Sequence, residues 1–217
     1  KLDSKMMPES SASGCIINYA GKRVLLTVQH AAGTGAWAAE SRYLPDRNET
    51  ALFQLGRMSF LKKIDVKSLE VTDVDLAFVE IPPEFETVLQ EIDVRGRVLS
   101  ERHRTCCNVD FDLIPAPEDT YGFAGQVKLE RAGNMLFGDI QVYPGLTFDR
   151  VEEVLYYFKL PIEHPGHDFF HGCSGAPIID TNANTVALVC GGDEDTNEIY
   201  GISLRHYELF LQAEYKK

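Results

Sequence analysis

The sequence predicts an all-β fold, either a sandwich or a barrel, from two observations. Short segments rich in β-branched and aromatic residues recur along the chain, and Gly, Asp, Asn and Pro separate them. The segments are GCIINYA, RVLLTV, TALFQL, DLAFVEI, VALVCGG and EIYGISL. The alternation of strand and helix patterns that βαβ units require is absent. A series of strands joined by turns therefore explains the pattern best.

A proline-containing segment, LIPAPEDT at Leu113–Thr120, divides the chain near its middle. Its two prolines and two acidic residues are typical of a linker. Strand-rich halves lie on both sides of it. We therefore expect one unit over residues 1–112 and a second over residues 113–217.

The last segment, LRHYELFLQAEYKK, departs from the strand pattern. Apolar side chains recur at helical spacing from Leu204 to Tyr215, with Tyr207 and Leu211 between them. This spacing predicts an amphipathic α-helix over about 205–216 that packs on the body of the protein.

Composition excludes two classes of partner. The chain has 217 residues, 44% hydrophobic and 25% charged, as in globular domains. The formal net charge of −12 argues against nucleic acid, because phosphate binding requires a basic face. No apolar run approaches the roughly 20 residues that span a bilayer, and the N-terminal segment has no signal-type apolar core. We expect neither nucleic acid nor a membrane as partner.

The cysteines indicate a cellular compartment. Their number is odd and their spacing is wide apart from one adjacent pair, which does not resemble a disulfide framework. A reducing, cytoplasmic location is therefore expected, although the spacing also allows a single Cys173–Cys190 bridge. The five are Cys15, Cys106, Cys107, Cys173 and Cys190.

Three polar residues next to apolar strands are candidates for catalysis. His30 ends the strand in RVLLTVQHAAG, and Asp75 opens the strand in DLAFVEIP, two residues after Asp73. Ser174 lies in HGCSGAP, just ahead of an apolar run. Each has a plain structural explanation when taken alone: a surface histidine, a turn acid and a tight turn. A serine nucleophile, however, needs a base, and that base needs an orienting partner.

Together, LLTVQHA, DVDLAFVEI and HGCSGAP resemble the fragments T-x-x-H, D-[IL]-A-[LV] and G-x-S-G-G-P of the trypsin/chymotrypsin-like serine proteases. Their order is also His, Asp, Ser. His30 and Asp75 are 45 positions apart, and Asp75 and Ser174 are 99 apart, against about 45 and about 93 in the chymotrypsin template. The segments SGCIINYAGKRVLL, TYGFAG, VALVCGG and IYGISL extend the resemblance over about Ser13–Leu204.

The resemblance implies two six-stranded antiparallel β-barrels of the chymotrypsin type, a C-terminal α-helix and a cleft between the barrels. It implies a serine endopeptidase that acts through an acyl-enzyme intermediate. The N-terminal barrel would carry His30 as general base and Asp75 as the group that fixes its tautomer, and the C-terminal barrel would carry Ser174 as nucleophile.

The resemblance also implies an oxyanion hole at Gly172, Cys173 and Ser174, where the N–H groups of Gly172 and Ser174 converge. Gly175 is expected to leave room for the substrate backbone. Cys173 stands where many secreted members have an aspartate that pairs with a new N-terminus, and Ala176 replaces a glycine. We interpret Cys173 as an inert small residue. We expect the domain to be competent as folded, or controlled by another domain or partner protein.

An edge strand beside the cleft is expected to pair with an extended protein or peptide substrate. Its residues are Val189, Cys190, Gly191 and Gly192. His171 would line the rim, and Tyr200 lies in the second strand that walls the specificity pocket. Asp168, six residues before Ser174, is the expected pocket floor. With the acidic loop DEDTNE, it predicts cleavage after arginine or lysine. An exposed loop acid is the alternative.

Three other hypotheses compete with this interpretation. HPGHDFFHGC holds His164, His167, His171 and Cys173, which are zinc-ligand types, but no second ligand pair accompanies them. An α/β-hydrolase requires G-x-S-x-G, with the acid and the histidine after the serine. The alternative from another class is a catalytically silent, protease-like domain that binds peptides or has a regulatory role. The sequence predicts no metal and no cofactor.

Overall fold

The computed structural model describes residues 1–33, 35–65, 67–132 and 135–216. Strands dominate this part of the chain, which confirms the all-β prediction. The strands are β1 (Cys15–Tyr19), β2 (Lys22–Thr27), β3 (Ala38–Leu44), β4 (Glu49–Gln54), β5 (Ser59–Ile64), β6 (Val71–Ile81), β7 (Val88–Ile92), β8 (Val98–His103), β9 (Asn108–Val109), β10 (Thr120–Ala132), β11 (Met135–Glu152), β12 (Leu155–Lys159), β13 (Pro177–Asp180), β14 (Asn184–Asp193) and β15 (Glu198–Ser203). The helices described are α1 (Gln29–Ala32), α2 (Arg205–Tyr215) and a 3₁₀ helix (His167–Phe170).

The C-terminal half closes into a six-stranded antiparallel barrel, as predicted. Its strands pair in the order β13–β10–β11–β12–β15–β14, and β14 pairs back with β13. Closure satisfies the backbone groups of each strand on both sides, so the barrel has no open edge of its own. Large apolar side chains fill the interior, among them Phe123, Leu146, Phe158, Ile178 and Ile199.

The described strands of the N-terminal half form a four-stranded sheet, β1–β2–β6–β5, and two hairpins, β3–β4 and β7–β8. The side chain of Gln90 joins the two hairpins, at a position where a closed barrel would have backbone hydrogen bonds between neighbouring strands. Gln90 of β7 accepts the N–H of Tyr43 of β3 through Oε1 (2.6 Å) and donates to its carbonyl through Nε2 (3.2 Å). Apolar packing completes this half, because Phe53 of β4 contacts Phe85 above Ile81.

One short strand crosses the predicted boundary between the two units. β9 pairs in parallel with β14, placing Asn108 beside Asn184 and Val109 beside Thr185. The last strand before the linker therefore extends the sheet of the other half. The division between residues 112 and 113 stays a prediction.

The C-terminal helix also crosses between the halves, and its presence confirms the predicted helix. α2 follows the last strand of the C-terminal barrel but packs on the N-terminal sheet, where Tyr207 and Leu211 are buried against Leu26 and Phe78. The Tyr207 hydroxyl donates to the carbonyl of Thr27 (2.6 Å). No helix in the described part of the chain is long and apolar enough to cross a membrane.

The packing of α2 can be tested with two leucines of the same helix. Leu211 is fully buried, so Leu211→Ala should lower the free energy of unfolding by about 2–5 kcal/mol. Leu209 is 64% exposed, so Leu209→Ala should change it by less than about 0.5 kcal/mol. Urea unfolding followed by circular dichroism measures both values. Equal effects would contradict the described orientation of the helix.

Candidate active site

His30 lies on the short helix α1, which begins two residues after β2 ends. The sequence places it at the tip of the strand, and the structure moves it into the first helical turn beyond. Its ring is half exposed, with a side-chain exposure of 47%. The sheet holds the histidine at the edge of the N-terminal half, with its ring facing outward.

Asp75 lies within β6 rather than at its beginning, and an irregularity in the strand directs its side chain. The pairing of β5 with β6 shifts register between Phe60 and Leu61, which pair with Ala77 and Val74. Two residues of β6, Asp75 among them, therefore have no direct partner on β5. Such a bulge re-aims side chains. At this bulge, the side chain of Asp75 reaches His30, which follows the neighbouring strand β2.

Asp75 binds His30 through two hydrogen bonds. The backbone N–H of His30 donates to Oδ1 (2.8 Å), and Nδ1 of its ring donates to Oδ2 (2.7 Å). Because Nδ1 carries the proton, Nε2 of the neutral ring is an acceptor. The hydroxyl of Ser174 lies 2.9 Å from Nε2. The three predicted side chains are thus brought together in one continuous hydrogen-bond chain.

The thiol of Cys190, which the sequence assigns only to the substrate strand, lies near Asp75 and donates to the carbonyl of Leu188 (3.6 Å). Burial raises the pKa of Asp75, but the hydrogen bonds from His30 outweigh burial and hold its pKa below the ordinary value. Burial, with the negative charge of Asp75, raises the pKa of Cys190. Cys190 therefore stays a protonated donor. Both Cys190 and Cys173 are free thiols, so the bridge that their spacing allows is not formed.

Asp73 is separated from the hydrogen-bond chain by its own partners. It is exposed, and Lys62 of β5 donates to its carboxylate (2.7 Å). Hydrogen bonds from Lys62 and then Gln29 lower the pKa of Asp73. The two acids of DVDLAF therefore differ in their partners, because Asp75 binds His30 and Asp73 binds Lys62.

Ser174 occupies a tight turn that begins at Cys173. The N–H of Ala176 donates to the carbonyl of Cys173 (2.8 Å), and Gly175 has a φ of +87°, as the third residue of a type II turn requires. A Cβ at Gly175 would overlap the carbonyl oxygen of Ser13 and the hydroxyl of Thr27. The expectation that Gly175 leaves room for substrate is thus corrected, because the N-terminal half fills that space.

The predicted oxyanion hole involves the preceding turn. The N–H of Cys173 donates to the carbonyl of Phe170 (2.8 Å), so Cys173 separates the two predicted donors without being one. His171 has φ −55° and ψ −27°, and Gly172 has no positive φ. These angles define a type I turn, whose central peptide points opposite to that of a type II turn. Only one of the two orientations directs the Gly172 N–H toward an oxygen bound by Ser174.

Cys173 has the character that the sequence predicts for it. Its side chain is fully buried against β10, where its thiol contacts the carbonyl of Gln126 (3.5 Å). Burial raises the pKa of Cys173 to about 12. The thiol is therefore protonated and unreactive near neutral pH.

A cavity of about 620 Å³ opens beside the hydrogen-bond chain. Its lining includes His30, Asp75 and Ser174, and six residues predicted to bind substrate also line it. Those six are His171, Val189, Cys190, Gly191, Gly192 and Tyr200. Sequence reasoning missed the other residues of its lining, which are Lys1, Ser10, Ser11, Ala31, Trp37, Leu155, His164, Phe170 and Ile199. Trp37 lines both this cavity and a second one of about 730 Å³.

Solved protein structures share this architecture. The scabies mite inactivated protease paralogue S-D1 matches with a TM-score of 0.61 at 10% sequence identity, over 97% of this chain and 89% of that chain. A mutant of human heparin binding protein (CAP37) matches with 0.61 at 11% identity, over 96% and 88%. The serine endoprotease from Yersinia pestis matches with 0.53 at 10% identity, over 95% of this chain and 58% of that chain. The fold is that of the trypsin/chymotrypsin-like serine proteases.

No protein-family model and no curated protein matches the sequence. At about 10% identity the likeness shows the trypsin-like fold alone, and this fold does not by itself determine activity. One of the three neighbours is itself described as inactivated. Any function must therefore be argued from the side chains of the site.

Asp168 does not form the pocket floor that the trypsin-like resemblance implies. It is exposed, it lies in the 3₁₀ helix His167–Phe170, and it does not line the cavity. Gly166, just before this helix, has a φ of +103°. The helix that follows turns the carboxylate away from the cleft and places Phe170 against the cavity, an arrangement that the spacing to Ser174 does not reveal.

The zinc hypothesis has no support in the described residues. None of their His, Cys, Asp and Glu side chains form a group of three or more suited to a metal ion. Of the four residues concerned, His164 lines the cavity, His171 lies at its rim and Cys173 is buried. The side chain of His167 lies outside the described part of the structure.

The close approach of Gly175 to Ser13 and Thr27 predicts the effect of adding one methyl group at position 175. Gly175→Ala should lower the free energy of unfolding by more than about 2 kcal/mol, because it adds a positive-φ alanine and an overlap with Ser13. At Gly56 a Cβ meets nothing within 4 Å, so Gly56→Ala should have little effect. Chemical unfolding of both variants tests this contact. A Gly175→Ala protein as stable as the wild type would contradict it.

Proposed function

We propose that the protein is a serine endopeptidase in which Ser174 is the nucleophile, His30 the general base and acid, and Asp75 the group that orients His30. One observation carries this proposal. A hydrogen-bond chain runs from Asp75 through His30 to Ser174, with links of 2.7 and 2.9 Å, at the side of a cavity. The trypsin-like fold supports it, because this constellation performs acyl transfer on that fold.

The chemistry follows from the three side chains. Ser174 Oγ attacks the carbonyl carbon of the peptide bond while its proton moves to Nε2 of His30. The tetrahedral oxyanion then collapses, the C–N bond breaks, and Nε2 returns the proton to the leaving amine. His30 next takes a proton from water, whose oxygen attacks the acyl-enzyme ester. The carboxylic acid leaves, and Ser174 regains its proton.

Asp75 acts on the imidazolium that exists between these proton transfers. Its lowered pKa keeps it ionised, so its negative charge stabilises the positive ring of His30. The backbone N–H and the ring N–H of His30 hold the carboxylate in a fixed orientation. The tautomer of His30 that accepts a proton from Ser174 is therefore maintained.

The N–H groups of Gly172 and Ser174 are the proposed oxyanion donors, and such donors contribute about 3 kcal/mol each. The type I turn at Phe170–Cys173 determines where the Gly172 N–H points, and so it affects stabilisation of the oxyanion. Glycine takes negative and positive φ about equally well, so Gly172 permits either turn type. Whether the Gly172 N–H can stabilise the oxyanion therefore depends on the orientation that the His171–Gly172 peptide adopts when substrate is bound.

A catalytically silent, protease-like domain is the second candidate function. The same turn favours it, because Gly172 does not use the positive φ that a type II turn would need. The scabies mite neighbour, described as an inactivated protease paralogue, shows that the fold occurs without activity. The two candidates differ in whether Ser174 reacts.

Cleavage after arginine or lysine is not part of the proposed function. That preference rests on Asp168, which is exposed and outside the cavity lining. The residues that line the cavity are a better guide to the substrate side chain.

Reactivity of Ser174 can be tested directly with a fluorophosphonate probe. The wild-type protein should be labelled, because His30 removes the proton from Ser174 as Oγ attacks phosphorus, and Ser174→Ala should not be labelled. The matched control is Ser41→Ala, since Ser41 is remote from the cavity and bonds to the carbonyl of Glu86. Absence of labelling in the wild-type protein would favour the silent domain.

The two acids of β6 provide a second test. Asp75→Asn should lower kcat about 10³- to 10⁴-fold, because an amide stabilises the wrong tautomer of His30. Asp73→Asn removes an exposed ion pair with Lys62 and alters a contact with Gln29, but it leaves both hydrogen bonds between Asp75 and His30 intact, so it should retain activity within about twofold. Peptide hydrolysis at saturating substrate measures both. Loss of activity in Asp73→Asn with full activity in Asp75→Asn would show that the orienting acid is misassigned.

A further inference from the structure

The second cavity, of about 730 Å³, begins where the short helix that carries His30 ends. Ala32, the last residue of α1, and Gly33, just after it, line this cavity. Trp37 lines it as well, and it also lines the cavity of Ser174. The two cavities are therefore neighbours, and every described residue that lines the second one belongs to the N-terminal half.

The proposed reaction directs one part of the substrate toward this side of the cleft. Nε2 of His30 returns its proton to the leaving amine, so that amine must lie within hydrogen-bond reach of the ring. Residues before the scissile bond have the edge strand 189–192 available for pairing. The chain that follows the bond instead passes the helix of His30, and the second cavity begins at the end of that helix.

The charge of the second cavity is opposite to that of the whole protein. Among the described residues that line it, Arg57 and Lys62 are cationic and none is Asp or Glu. The chain as a whole has a net charge of −12. A recess that is locally positive in an acidic protein favours a ligand with a negative charge.

Arg57 is the cation of this region whose charge is not paired. Its side chain is exposed, and no hydrogen bond or ion pair joins it to another residue in the described ranges. Lys62, by contrast, binds Asp73 (2.7 Å). Lys1, which lines the neighbouring cavity, is paired with Glu9 (3.1 Å). A carboxylate that enters the second cavity therefore meets one guanidinium that has no other partner there.

Apolar side chains line the cavity beside this guanidinium. They are Trp37, Met58 and Phe60, and Phe60 has 40% of its surface exposed. A chain bound in the cavity would cover this apolar surface. Apolar walls also lower the local dielectric constant, which strengthens an ion pair formed between them.

We propose that the second cavity binds the part of a protein substrate that follows the scissile bond, and that Arg57 selects an acidic side chain there. This inference rests on the proposed function, because it assigns a specificity residue to the same cleft. The substrate carboxylate pairs with the guanidinium, and neighbouring atoms of the substrate pack on Trp37, Met58 and Phe60. The substrates are thus proteins with Asp or Glu shortly after the cleaved bond.

The test uses peptides with a single Glu at each of the four positions after the scissile bond, each paired with a Gln counterpart of the same shape. At one position or more, kcat/KM for Glu should exceed that for Gln about three- to fivefold, as expected for a partly exposed ion pair. Arg57→Gln should bring this ratio close to one while cleavage of the Gln peptides persists. Arg57→Glu should invert the ratio, because like charges then meet.

Arg95→Glu is the matched control. Arg95 is also exposed and lines neither cavity, so its substitution changes the net charge equally and should leave every ratio unchanged. Equal kcat/KM for Glu and Gln at all four positions would overturn the inference, as would a ratio that Arg57→Gln does not alter. A second peptide set with Glu or Gln before the bond tests the direction. Dependence on Arg57 in that set alone would also overturn the inference.

Binding measurements separate this inference from the peptidase proposal. Trp37 is the single tryptophan of the chain, so its fluorescence reports binding of the uncleaved peptides to Ser174→Ala. Tighter binding of a Glu peptide than of its Gln counterpart, abolished by Arg57→Gln in the same background, supports the inference even if the fluorophosphonate probe labels nothing. Equal binding of every pair overturns it. Absence of labelling alone contradicts only the peptidase activity.

Discussion

The contact between the two halves behind the cleft determines where Ser174 lies relative to His30. The N–H of Ser13 donates to the carbonyl of Ser174 (2.9 Å), and the hydroxyl of Thr27 donates to the carbonyl of Ser13 (2.8 Å). Thr27 ends β2, three residues before His30. The loop of Ser174 is therefore attached to the same strand that positions His30. A glycine at 175 is what allows so close an approach, and a displacement of about 1 Å in such a site costs about 10²-fold in rate.

Among the described residues, the lining of the cavity beside Ser174 includes one carboxylate, that of Asp75, and one lysine, Lys1. Asp75 accepts two hydrogen bonds, from the backbone N–H and the ring of His30. Its charge is thus committed to the imidazole rather than to the substrate.

The sequence predicted those features that depend on local pattern and motif. The strands, the helix that buries Tyr207 and the three fragments around His30, Asp75 and Ser174 were all readable, because alternation, spacing and turn residues are local signals. Asp168 was misplaced because counting back from Ser174 cannot register a 3₁₀ helix that turns the side chain outward. His164 was assigned to a rival zinc hypothesis because its neighbours in the cavity come from distant strands. The bulge at Asp75 and the thiol behind it likewise arise only from tertiary packing.

The position of α2 has a consequence for synthesis of the protein. Leu26 and Phe78 of the N-terminal sheet are covered by Tyr207 and Leu211, which the ribosome adds more than a hundred residues later. Until that helix is synthesised, the N-terminal sheet that precedes His30 has an uncovered apolar face. The sheet therefore acquires its full apolar cover only after residue 211 has been added to the chain.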